Sequence, residues 1–264
     1  MKLGRLLVFC FVVLSTSLSA QDIHFSQFYM SPMTLNPAMT GVMNCNIRLT
    51  ANYRNQWASV LKSNAYNTYS VAYDQRIPVG RYDYLGVGGT FWGDQAGSLG
   101  FGDVTGKLSV SYSKRMAGYR QKSHYLVAGV EAGVAQRRVD LSRAQWGEQH
   151  DGDGGFDPTA NPNEGLLTLN QNSFIYPDIS AGLMWFSVFD KHNNLFVGGA
   201  YHHLNRANMT FYDGSSEPQF SKFTFHAGGE FKLSERLAAV PNILTRFQGP
   251  SMEIVPGTSL KFLL

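Results

Sequence analysis

The chain has 264 residues, of which 16% are charged, 13% are aromatic and 27 are glycine, with a formal net charge of +3. A near-neutral chain without a basic run is a poor nucleic-acid binder, and a mean hydropathy just below zero is too polar for a bundle of membrane-spanning helices. The length suits one large all-β domain.

Residues 1–20 read as a secretory signal peptide. Lys2 and Arg5 form the positive start, Leu6 to Leu14 the apolar core, and Ser15 to Ala20 a small-residue cleavage region. Cleavage is expected near Ala20, with Ser19 as the alternative because Leu18 fits the motif imperfectly. The apolar run is shorter than the ~20 residues a spanning helix needs. Its removal takes Cys10 and two positive charges, leaving +1 and Cys45 as the only cysteine. A lone thiol forms no internal disulfide, so the fold is not stapled; Cys45 is expected as a half-buried thiol before the first strand.

The mature chain, 21–264, opens on a lead-in of turn chemistry. Pro32, Pro37 and Gly41 exclude a regular helix, and Asn36 before Pro37 is biased to an extended backbone. From Ile47 to Trp57 the pattern alternates. Ile47, Leu49, Ala51, Tyr53 and Trp57 share one face, Arg48, Thr50, Asn52, Arg54 and Gln56 the other, and Asn55 is the polar exception. Such a strand separates an apolar side from a polar one.

Strand-like segments of membrane-crossing length follow at 64–74, 84–92, 104–116, 125–138, 179–189, 195–203, 223–233, 237–247 and 252–262. With the first, that makes ten. In the third of these, Val104, Gly106, Leu108, Val110 and Tyr112 oppose Thr105, Lys107, Ser109, Ser111 and Ser113. In 222–233, Phe223, Phe225, Phe231 and Leu233 oppose Lys222, Thr224, His226 and Glu230. A soluble β-sandwich also alternates. Aromatic residues near segment ends on the apolar side (Tyr112, Phe189, Phe223, Phe231) instead match the girdles of a transmembrane antiparallel β-barrel. The polar stretch from Asp140 to Ser173 then reads as an extracellular loop.

Candidate chemistry is sparse. Asp151, Asp153 and Asp157 occupy spacings one, three and seven of a calcium loop, but Phe156 and Pro162 stand where its glycine and bidentate Glu belong. His202 and His203 are adjacent, so on a strand they face opposite sides and form no shared metal site, one lining the lumen and the other at the interface. No nucleophile elbow or dinucleotide fingerprint is present; Gly86-Val87-Gly88-Gly89 suits a curved barrel strand. The reading is therefore of a protein without catalysis, metal or cofactor. The strand-one arginines need internal partners, for which Asp74, Asp94, Glu131 and Glu230 are candidates. Two readings stay open: a polar network that plugs the lumen, or a docking surface for a partner chain.

Several blocks resemble the PorP/SprF family, outer-membrane proteins of the type IX secretion system of Bacteroidetes. They are Gln21-Asp22, His24-Phe25-Ser26-Gln27-Phe28-Tyr29, Leu35-Asn36-Pro37-Ala38, Gly41 and Asn52-Tyr53-Arg54-Asn55-Gln56-Trp57. Looser matches follow at Asp94-Gln95-Ala96-Gly97, Phe156-Asp157-Pro158, Pro177-Asp178 and Tyr201-His202-His203-Leu204-Asn205. The resemblance implies an accessory barrel in outer-membrane lipid. It also implies partners: the secretion machinery with its periplasmic ring, and secreted adhesins with type B C-terminal domains, with a link to gliding motility. It marks Gln27, Phe28, Tyr29, Asn36, Pro37, Gly41, Asn52, Arg54, Asn55, Gln56 and Trp57 as signature or partner-binding positions. Relatives look like barrels of about fourteen strands, so ten strands imply either a smaller closed barrel or a shortened member, and the final Leu264 replaces the usual terminal aromatic. A passive porin, with a clear lumen, is the rival function; an outer-membrane hydrolase, with Ser, His and acid converging at one rim, stands behind it.

Overall fold

The computed structural model describes residues 22–262 apart from 24, 26, 120–121, 151, 154, 158, 161–171, 192 and 212–214. The expected signal peptide lies outside this range. All ten expected strands form: β1 (Ile47–Gln56), β2 (Tyr66–Val79), β3 (Asp83–Ala96), β4 (Phe101–Tyr119), β5 (Lys122–Arg138), β6 (Ser173–Val188), β7 (Asn194–His202), β8 (Lys222–Ser234), β9 (Leu237–Gln248) and β10 (Ser251–Phe262). They make one antiparallel meander in sequence order. The sheet curls into a half-barrel. Among the described residues β1 and β10 each pair on one side only, so the smaller closed barrel is not what these strands form.

The strands run past their expected ends because the prolines fall where a ladder bond is not required. Pro78 lies beyond the last β1 partner, Gln75. Pro177 pairs with Val134 of β5, but the β6–β7 ladder begins only at Ala181. At Pro241 the β8–β9 ladder lapses between Asn242 and Ala239, and Pro256 stands on the edge strand β10. Strand one ends at Gln56, one residue early, because Trp57 turns into a left-handed conformation (φ 61°).

Side chains alternate as the pleat demands. On β4 Leu108 is 75% exposed on the convex face while its neighbour Ser109 is 1% exposed on the concave one. The convex face also carries exposed Val110, Tyr112, Trp185, Phe223 and Phe225. An apolar band of this kind is solvated by lipid at no cost, whereas in water it would be an aggregation surface.

Connections differ at the two ends. At one end the strands follow one another closely, from Val79 to Asp83, Tyr119 to Lys122, Val188 to Asn194 and Ser234 to Leu237; at the other the chain between strands is longer after β1, β5 and β7 and short after β3 and β9. The lead-in runs down the concave side between them. It folds into single turns, Phe28–Met30, Pro32–Leu35 and Pro37–Met39, each with a proline or an adjoining one that stops it from lengthening.

Candidate functional site

The lead-in buries its own signature. Phe28, Met33, Leu35, Asn36, Pro37 and Ala38 are all buried against the sheet interior, with Phe28 and Leu35 packed on Leu244 of β9 and Ala38 on Val127 and Met184. Asn36, fully buried, has the extended backbone its proline neighbour dictates (φ −158°, ψ 123°). Its amide nitrogen donates to the carbonyls of Leu183 and Gly199, both at 3.2 Å, and lies 2.9 Å from Nε2 of His226. Its Oδ1 accepts the N–H of Ala38 at 2.8 Å. One side chain thereby ties the lead-in to β6, β7 and β8.

This close approach needs sheet positions without a Cβ. A Cβ on Gly129 would lie 2.5 Å from the backbone of Pro37 and Ala38, and one on Gly182 would strike the Asn36 amide. Gly86 and Gly88 serve Thr40 and Met33 in the same way, so the glycine run of β3 accommodates the lead-in as well as strand curvature. Gly41 itself has φ 70°, and its N–H donates to Asp74 Oδ2 at 2.7 Å.

The lower end is clamped by an arginine. Arg48 forms a two-point pair with Asp74 (Nε–Oδ1 2.9 Å, Nη2–Oδ2 2.7 Å) and donates to the carbonyl of Met39 at 2.9 Å. Planar guanidinium geometry suits that fork. Of the other expected counterparts, Glu131 meets Lys107, Glu230 meets Lys261, and Asp94 accepts the hydroxyl of Thr68.

The upper end is latched by an ionic chain that crosses five strands. Lys107 of β4 lies 2.9 Å from Glu131 of β5 and 2.8 Å from Asp178 of β6. Asp178 Oδ1 meets His203 Nδ1 at 2.9 Å, and His203 Nε2 meets Asp22 Oδ2 at 2.5 Å. Asp22 also binds Lys222 at 2.8 Å and Gln248 at 3.0 Å. Both ring nitrogens of His203 face carboxylates, so only the imidazolium donates to both. Burial pushes that ring down, but Asp178 and Asp22 overcome it and raise it above its ordinary value. Burial pushes the Asp22 carboxyl up, and Lys222 and His203 outweigh it to hold it well below the usual range.

Two sequence expectations change here. His202 and His203 do not face opposite sides: β7 ends at His202, and His203 adopts φ 58°, which swings its ring back to the concave side. Cys45 is exposed, its thiol bonded to the carbonyl of Ile47.

The signature residues divide. Phe28, Asn36, Pro37 and Gly41 meet inside. Asn52, Arg54 and Gln56 line the half-buried inner row of β1, with Asn52 donating to the Met30 carbonyl. Gln27, Tyr29 (48% exposed), Asn55 and Trp57 remain at the surface, Asn55 sharing Asn67 Oδ1 with Tyr53. The ionic chain had one visible signal in the sequence, Lys107 set mid-strand between Thr105 and Ser109 on the inner face of β4. In the loop whose aspartates have partial calcium-loop spacing, Asp157 caps Thr159, and Asp151 lies outside the described residues. As to acyl chemistry, both His203 nitrogens are engaged by carboxylates. Ser187, beside His124 at 2.9 Å, is buried and accepts from Trp185.

A meandering half-barrel, apolar outside and filled on its concave side by its own N-terminal strap, defines a plugged β-barrel membrane protein. The family described as type IX secretion system membrane protein PorP/SprF matches residues 17–263, and the chain belongs to that family. Among solved structures, the chain is similar to a variant of the ferric enterobactin receptor PfeA from Pseudomonas aeruginosa, at 11% identity and a TM-score of 0.33. That likeness covers 83% of this chain and 37% of the receptor, so the chain spans little more than a third of it. No curated protein sequence matches the chain.

Proposed function

We propose that the protein is an outer-membrane component of the type IX secretion apparatus that acts as a docking subunit with a filled lumen, supporting secretion or surface anchoring of adhesins with type B C-terminal domains and, through them, gliding. Family membership supports the system, and the apolar convex face supports the outer membrane. One observation carries the docking reading over a porin: the strap from Asp22 to Val42 occupies the concave side and is fastened at both ends, by Asp22 to Lys222 and by Gly41 to Asp74. A porin needs that space clear.

The exposed signature positions are the candidate partner contacts. Gln27→Ala and Tyr29→Ala are expected to leave barrel abundance in outer-membrane fractions unchanged while lowering adhesin on the cell surface. Asn36→Ala is expected to lower barrel abundance itself. In planar bilayers the purified protein is expected to carry no steady current. A steady ohmic conductance, with normal surface adhesin in both exposed-site variants, hands the function to the porin.

A further inference from the structure

The tight-turn mouth of the half-barrel carries a cavity that the strap leaves unfilled. Its volume is about 340 Å³, and its walls are Val42 of the strap with Tyr125, Val127, Met184, Phe186 and Phe196 of β5, β6 and β7. These side chains point to the concave side; their strand neighbours Leu126, Leu183, Trp185 and Val197 face outward. The sheet therefore stands between the cavity and lipid. An apolar patch on the lumen side of a barrel is unusual, because that face normally contacts water.

The rim around it is basic. Arg81, Lys122, Lys191, Lys232 and Arg236 are exposed there, and Arg76, stacked 3.4 Å over the Tyr84 ring, lines the wall. The carboxylates at this end are fewer, and Asp83 is already engaged by Lys114 at 2.9 Å. The opposite end is mixed in sign among the described residues, with exposed Glu148, Asp153, Asp157 and Glu217 set against exposed Lys62, Arg138, Arg143 and Arg206. Asn44, Ser123 and Asn194 sit among the apolar walls and offer hydrogen bonds to a peptide backbone.

We infer that this mouth is a docking site for an acidic polypeptide segment that inserts an aromatic or long aliphatic side chain into the cavity. The volume falls in the range of small-ligand sites, roughly 300–1,000 Å³, and suits one or two such side chains. The basic rim steers the acidic segment and fixes its register; the cavity supplies the buried anchor. The inference deepens the proposed function and rests on it for one point: tight turns lie on the periplasmic side of outer-membrane barrels, so the partner is periplasmic.

The test uses the full mature protein purified in detergent and a fluorescein-labelled peptide alternating Glu and Phe, with a Lys–Phe peptide as control. Anisotropy is expected to show binding of the Glu–Phe peptide alone, weakening as salt rises from about 0.05 to 0.5 M. The double variant K122E/K191E is expected to lose about tenfold or more in affinity. Ser123→Trp, which fills the cavity and keeps the charge, is expected to lose as much, while Glu148→Lys at the far end changes nothing. Heat-modifiable migration of each variant reports that the barrel is intact. Equal binding of both peptides, or full affinity in Ser123→Trp, overturns the proposal. Native mass spectrometry that retains phosphatidylglycerol on the wild type and loses it in K122E/K191E, with no peptide binding, assigns the rim to lipid headgroups and also overturns it. Recovery of the protein in the soluble periplasm would instead remove the outer-membrane reading, whatever the peptide does.

Discussion

The two halves of the concave side are built from different physics. Toward the long loops, Lys107, Glu131, Asp178, His203, Asp22 and Lys222 form a continuous chain of ion pairs. Toward the tight turns, Val127, Met184, Phe186 and Phe196 pack with Met39 and Val42 of the strap. Buried ion pairs add little net stability over apolar packing, yet breaking one leaves a stranded charge. Apolar contacts are forgiving of small changes and carry no directional demand. The charged half thus fixes where the strap goes. The apolar half lets its other end settle and leaves room for a guest.

That contrast can be broken most severely at Lys107. Lys107→Ala leaves Glu131 and Asp178 buried without their shared cation, and is expected to cost about 3–5 kcal/mol. Urea titration in micelles, read by the loss of heat-modifiable migration, measures this. A cost near zero would mean that water reaches the chain and that the ionic half is not a latch.

The boundary between the halves is next. Gly129→Val places side-chain atoms against the backbone of Pro37 and Ala38, an overpacking that costs typically about 1–3 kcal/mol. Because the strap is the softer element, it is expected to lift first, exposing residues 27–42 to protease while the strands stay protected. Protection unchanged from wild type would show that the strap does not lie there.

The apolar half should respond more mildly. Val127→Ala removes about two methyl or methylene groups from a buried position, worth about 1.6 kcal/mol at about 0.8 per group, and its effect should not vary with pH.

The smallest effect separates the halves by titration. His203 is raised, so its contribution is complete below the ordinary imidazole value of about 6.5 and fades as pH rises through its higher folded value. Asp22 is lowered, so its contribution is complete above the ordinary carboxylate value of about 3.9 and fades as pH falls through its lower folded value. The latch is therefore strongest between about pH 4 and 6.5. Hydrogen exchange at Ile23 and Phe25 is expected to quicken on the alkaline side of that window and at Val42 to keep its rate relative to Val127. Equal quickening at both ends would mean that the strap opens as one unit.

Strand-like segments along the chain were enough to read ten strands, and the alternation of Val104 to Tyr112 and of Phe223 to Leu233 gave the facing of those two, because a period of two admits only one apolar side. Turn chemistry was also local: Asn36 is extended because Pro37 follows it, and the prolines of the lead-in held its helices to single turns. The blocks from Gln21 to Trp57 pointed to the family without any coordinates.

What the amino-acid order could not decide was which distant groups share the lumen. Asp74 was one of four candidate partners for the strand-one arginines, and nothing local singled it out as the partner of Arg48. Strand alternation alone sends His203 to the opposite face from His202; the end of β7 and a left-handed turn bring it back. Asn36 read as a loop residue free for docking, yet it bonds to β6 and β7 across 147 and 163 residues of chain. Local patterns set the conformation of each segment because they arise from sterics and hydrophobic period within a few residues. The strap, its latch and the unfilled mouth arise only when the sheet curls and brings five strands around one segment.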